Sequence, residues 1–176
     1  MHNEGIQWKV KTTLEKRHGD INACKSPEER LRFLAETEPY DVVVKEGNLL
    51  LNAGMDLVLS LMTGQGGDAY TNAAAQIGVG NGDAAAVRTQ TALQGASTDY
   101  QGMESGFPTA PAENAATDGR QTKFKSSWGS GDGNFVWAEW VVRNKASAGT
   151  LLNRKVEALG TKSTGTWTLE VEISIK

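Results

Sequence analysis

Trp167-Thr168-Leu169-Glu170-Val171-Glu172-Ile173-Ser174-Ile175-Lys176 carries an apolar residue at every odd position and a polar one at every even position. Alternation with period two is the pattern of a half-buried β-strand. It predicts Trp167, Leu169, Val171, Ile173 and Ile175 on a core face. Upstream, Phe135-Val136-Trp137-Ala138-Glu139-Trp140-Val141-Val142 is apolar on both faces. That fits a central strand covered on one side by the core and on the other by a helix or a partner chain. Only Glu139 breaks the run. A buried carboxylate needs a paired donor, and Arg154 or Lys155 on the neighbouring strand are the candidates. Trp137 and Trp140 lie three apart and are expected on opposite faces. The stretch from Asn134 to Lys176 holds three of the five tryptophans, each removing about 150–250 Å² from water when buried. That sets an upper bound of about 4–6 kcal/mol apiece, so stability is expected to reside in this sheet.

The 176 residues match one domain, and no second core is required. A net charge of −3 with lysines interspersed among acids argues against a polyanion partner, so no nucleic acid is expected. Cys24 is the only cysteine, which excludes an intrachain disulfide and reads as an inert thiol. Met1 to Lys9 contains no apolar run of signal-peptide length, and Leu57 to Met62 is far shorter than a membrane span. A soluble protein made without a signal peptide is expected.

Along the chain, Ile6, Trp8 and Val10 alternate with polar residues as a first strand or an extended arm. Ser26-Pro27-Glu28-Glu29 opens a helix, with Ser26 as N-cap, Pro27 at the first position and Glu29 closing a capping box; Leu31, Phe33 and Leu34 are its apolar contacts and Pro39 ends it. Tyr40 to Lys45 is strand-like, and Glu46-Gly47-Asn48 is a turn. Asn52 is placed to cap a second short helix bearing Leu57, Val58, Leu61 and Met62, with Gly64 as its stop. Gln76 to Gly80 reads as a brief strand before an Asn-Gly turn at Asn81-Gly82. Residues 94–121, rich in Gly, Ala, Ser, Thr and Pro, read as one long loop suited to a partner. Strand character resumes from Lys123 to Trp128, and Gly129 to Asn134 forms a turn.

No catalytic, cofactor or metal site emerges from these residues. Gly78-Val79-Gly80-Asn81-Gly82 departs from both phosphate-binding fingerprints, since Asp83 stands where a glycine is needed and no Gly-Lys-Ser/Thr follows. Asp132 and Asn134 are a fragment of a calcium loop without its other donors. His2 and His18 have no cysteine pairs for zinc, and no serine sits in a nucleophile elbow. Aromatic side chains are the remaining candidates for recognition. Trp8, Tyr100, Phe107, Trp137 and Trp140 are the expected partner contacts.

Five blocks carry a resemblance: Asn48-Leu49-Leu50-Leu51-Asn52-Ala53-Gly54, Ile77-Gly78-Val79-Gly80-Asn81-Gly82, Gln90-Thr91-Ala92-Leu93, Phe135 to Trp140, and Leu151 to Lys162. Together they resemble small virion structural proteins of tailed bacteriophages, of the capsid decoration or cement type. Their order is distantly similar to the attachment domain of phage tail-collar fibre proteins. The resemblance implies a non-enzymatic virion protein that binds the major capsid lattice or, alternatively, a tail fibre, collar or other tail attachment role. It also implies self-association, with trimers as one expectation. A carbohydrate-binding module is a remote alternative. The expected fold is α+β, mainly antiparallel β, a β-sandwich with two short helices. The expected organisation is an N-terminal arm or strand plus a short helix over residues 1–47, packed on or extending from the core, and a main β-rich domain over 48–176 with the long loop 94–121.

Overall fold

The computed structural model describes residues 7–116 and 119–176, so His2 and Ile6 lie outside the described residues. Among these, two five-stranded antiparallel sheets stack as a sandwich. The first has the order β2 (Asp41–Glu46), β1 (Trp8–Arg17), β10 (Thr166–Ile175), β7 (Gly119–Trp128) and β6 (Ala112–Asn114). The second runs β3 (Leu49–Leu50), β9 (Leu151–Thr161), β8 (Val136–Arg143), β4 (Gln76–Gly80) and β5 (Thr98–Gly102). Helix α1 (Pro27–Glu36) joins β1 to β2, and α2 (Asn52–Met62) joins β3 to β4. The chain is α+β and mainly antiparallel β, as its alternation predicts.

The core lies between the sheets. From β10 come Trp167, Leu169, Val171 and Ile173, all buried, while Ile175 at the strand end is 44% exposed. The alternation therefore holds for all but its last apolar position. Trp137 packs edge-on against Trp128 and Trp167, with ring centroids 4.8 and 4.9 Å apart. Gly133, at φ +58°, passes under this cluster and accepts the Trp137 indole N–H at 2.8 Å. A Cβ there would sit 3.1 Å from the Trp128 ring, so the turn residue is set by both backbone and packing.

Trp137 and Trp140 do not point to opposite faces. The pairing of β8 with β9 slips between Trp137 and Glu139, and both indoles enter the same intersheet core. An irregularity of this kind breaks the two-residue period at that point. Glu139 and Val141 take the outer side of the sheet. There Val141 packs with Leu51, Leu93 and Leu151.

The boundary expected near residue 47 is crossed by the first sheet. β1 is an interior strand, paired with β10 along its whole length and with β2 on its other side, and it sends Val10 and Leu14 into the core. Of the two expectations for this segment, a strand or an extended arm, the structure has the strand. The stretch expected as one loop, residues 94–121, contains β5, β6 and the start of β7. β5 and β6 are short edge strands with a free side, so polar residues such as those of Thr98–Gly102 are compatible with them.

Helix α1 begins as expected: the Ser26 hydroxyl accepts from Glu29 N at 3.1 Å. Glu29 reaches back to Lys25 N at 2.6 Å, one residue before the cap. None of the α1 residues is fully buried, and the helix is fastened by Arg30, which grips the buried Glu104 carboxylate at 2.5 and 3.2 Å. Helix α2 is capped by Leu51 without a side-chain bond, and Asn52 is its first residue instead of its cap. Asn52 N is already bonded to Arg88 O at 2.9 Å. At Gly54 the helix touches β9: a Cβ would lie 2.4 Å from Leu152 O.

Candidate interaction site

Glu139 is fully buried on the outer side of β8. Of the two candidate donors it takes Arg154, whose Nε donates to Oε2 at 2.7 Å; both side chains are unexposed. Its Oε1 accepts from the backbone N–H groups of Gly82, Gln94 and Gly95 at 3.2, 2.9 and 2.7 Å. Arg154 also donates to Ala84 O at 2.9 Å and Gln90 Oε1 at 3.0 Å. One ion pair thereby holds the connection 81–97 against the sheet. The glycine-rich run is explained here, because a Cβ on Gly82 would lie 2.4 Å from Glu139 Oε1 and one on Gly80 2.6 Å from it. The Gly82 N–H that resembles part of a phosphate cradle is spent on an internal carboxylate. No hairpin turn forms at Asn81-Gly82; Asn81 instead bonds Ser97 across the base of the connection, at 3.1 and 2.9 Å.

The five expected contact residues separate by burial. Trp137 and Trp140 are at 0% exposure, so they cannot touch a partner directly and are corrected to core residues. Trp140 has its indole N–H bonded to Glu157 Oε1 at 2.6 Å. Trp8 on β1, Tyr100 on β5 and Phe107 in the connection between β5 and β6 are half-buried and apart in the chain. Tyr100 lies under the Arg143 guanidinium, 3.5 Å from ring centroid to Cζ, and burial pushes its phenol pKa up. Its ring occupies the space a side chain at residue 78 would need, since a Cβ on Gly78 would be 2.3 Å from it. Phe107 carries Lys125 Nζ over its ring at 5.5 Å.

The remaining candidate ligands have local partners. Asp132 accepts from Asn22 Nδ2 at 2.7 Å and Gly129 N at 3.1 Å, and Asn134 accepts from Lys162 Nζ at 3.1 Å, so both belong to a polar turn. His18 stacks on Tyr40 at 4.6 Å, and Cys24 is a free, half-buried thiol. Among the described residues no His, Cys, Asp and Glu cluster is placed to hold a metal ion. No helix among them is long and apolar enough to cross a membrane.

An apolar cleft opens beside helix α2. It measures about 260 Å³ and is lined by Trp8, Val58, Tyr70, Phe124, Leu152 and Ile173, with Arg120 also in its wall. The Trp8 indole N–H is fixed by Asn48 Oδ1 at 3.2 Å, and Tyr70 meets Phe124 edge-on at 6.1 Å. Helix α2 supplies Val58 to this cleft and leaves other apolar side chains in solvent: Leu59 at 57%, Leu61 at 36% and Met62 at 76% exposure. Leu59 and Met62 are three apart and share a helix face. Sequence reasoning saw an apolar helix but did not single out Leu59, Met62 or Tyr70 for contact. The available signal was Leu57 to Met62, which is apolar nearly all round and exceeds what one packed face uses.

Fold and site together define an antiparallel β-sandwich whose ion pairs secure loops and whose exposed features include an apolar helix beside an apolar cleft. No family model, no curated protein and no solved structure matches the chain.

Proposed function

We propose that this chain is a non-enzymatic structural protein of a tailed-phage virion, a capsid decoration or cement protein that docks on the major capsid lattice. The observation that carries the reading is the solvent-facing apolar end of α2, where Leu59 and Met62 stand more than half exposed next to the cleft holding Trp8 and Tyr70. Exposed apolar surface of this kind marks interaction sites. A protein added to a finished lattice must fold first and bury its contacts afterwards. Covering one Leu or Met side chain supplies about 1.5–3 kcal/mol, and repeated lattice sites convert modest affinity into high occupancy. The resemblance of the Asn48–Gly54 and Leu151–Lys162 blocks to virion proteins supports the same role, and both blocks flank this end: Gly54 packs on Leu152.

The deciding experiment is quantitative gel analysis of purified virions, with labelling by an antibody to this chain. A decoration protein is expected in hundreds of copies, distributed over the head. A few tens of copies or fewer, with label confined to the tail, would replace this reading by a tail fibre or collar attachment role.

A further inference from the structure

Strand β2 ends the first sheet, and its one strand neighbour among the described residues is β1. Val42 and Val44 stand 49% and 51% exposed on it. An exposed edge of β-branched residues is a template for another strand.

The register fixes which backbone groups are free. Gly47 N donates to Val10 O at 2.8 Å, in line with the pairing of Lys11 with Glu46. Hydrogen-bonded pairs alternate in an antiparallel ladder. Those shared with β1 therefore fall at Gly47, Lys45, Val43 and Asp41, and Val42, Val44 and Glu46 turn their N–H and C=O groups outward. Glu46 agrees: its carbonyl accepts from Lys155 Nζ at 2.8 Å.

A strand added antiparallel to this edge must match outward residues with outward residues. We propose that the added strand is β2 of a second copy of this chain, paired about a two-fold axis through Val43. In that register Val42 exchanges bonds with Val44 of the partner subunit, and the two Val43 residues face each other. Asp41 then lies opposite Lys45 of the partner subunit, and the symmetry makes this ion pair twice. Moving the axis to Val44 sets Asp41 against Gly47 and Val42 against Glu46, and moving it to Val42 sets Lys45 against Pro39. Only the Val43 axis pairs both charges. Asp41 is free to do so because its bond to Lys16, at 2.8 Å, leaves 45% of its side chain exposed. The contact is isologous and closes at two subunits. It concerns the chain itself and stands whether or not the particle-docking role does.

The test is sedimentation equilibrium of the full chain over micromolar to millimolar concentration. Wild type is expected to show a monomer–dimer equilibrium. Val44→Pro removes one outward N–H at an edge that tolerates proline, and is expected to weaken the dimer by about tenfold or more. Lys45→Asp and Asp41→Lys each set like charges opposite one another and are expected to be monomeric with unchanged circular dichroism. An equal mixture of these two variants restores both opposite-charge pairs and is expected to form a one-to-one dimer. A monomeric wild type, a trimer, a dimer indifferent to Lys45→Asp, or a mixture that stays monomeric would each overturn the proposal.

Discussion

Arg154 Nε donates to Glu139 Oε2 across 2.7 Å on two adjacent strands, with neither side chain reaching solvent. The same carboxylate collects the N–H groups of Gly82, Gln94 and Gly95. Removing it strands a buried guanidinium and three backbone donors together. Glu139→Ala is therefore expected to cost about 3–5 kcal/mol. Urea unfolding measures the loss, and hydrogen exchange should show faster exchange at Gly82, Gln94 and Gly95 while the β1 amides stay protected.

Trp137 and Trp140 share the intersheet core. Truncating either leaves a large cavity against the facing sheet, so Trp137→Ala and Trp140→Ala are each expected to lose about 3–5 kcal/mol. Docking to particles, corrected for the folded fraction, should be unchanged. A variant of normal stability that fails to dock would return that tryptophan to the surface.

How far the sequence shows this structure depends on where each decision is made. Ser26-Pro27-Glu28-Glu29 contains its own capping chemistry, and α1 starts at Pro27 as that chemistry requires. The alternation from Trp167 to Ile173 needs only a buried face, and a basic partner for Glu139, Arg154 or Lys155, follows from the cost of an unpaired charge, the structure choosing Arg154. The shared face of Trp137 and Trp140 was not legible, because the slip is a property of the pairing with β9 and leaves no mark in β8 itself. β5 and β6 were missed because edge strands need little apolar character. At the interaction site, the apolar pattern of α2 was visible in the sequence, but which of its residues the sheet leaves uncovered is decided by the close approach at Gly54.

A chain beginning at residue 40 lacks β1 and α1. It loses the strand between β2 and β10 and the Val10 and Leu14 side chains from the core. An open ladder on β10 and an exposed core face cannot be compensated by the remaining strands. The truncated chain is expected to show no cooperative thermal transition and to bind a hydrophobic dye; a sharp transition would mean that residues 1–39 are dispensable for folding.

Asp99 on β5 has its carboxyl pKa raised above the ordinary 3.8, chiefly by burial, although N–H groups of Tyr100 and Gly133 partly offset this. A raised carboxyl pKa means that the folded chain holds this proton more tightly than the unfolded chain. Its stability contribution is thus greatest at acid pH and declines as pH rises from about 3.8 through the folded value. Asp99→Asn keeps the acceptor and removes the charge. Its melting temperature is expected to exceed that of wild type at pH 7, with the difference shrinking as the pH is lowered toward 3; a constant difference would mean that charge is not the cause.

Leu59 and Met62 separate docking from folding. Both project from the exposed face of α2 while Gly54 and Val58 hold the helix to the sheet and cleft. Leu59→Lys and Met62→Lys remove no core contact, and surface changes of this kind shift stability by about 0.5 kcal/mol or less. A lysine in an apolar contact must be desolvated without a partner, which is far costlier than losing the methionine or leucine alone. Each variant is expected to melt like wild type yet fail to cosediment with particles lacking the native protein. The comparison variant Val136→Lys, at a position half exposed on β8, is expected to keep its binding, so that loss at α2 alone identifies the helix as the docking face.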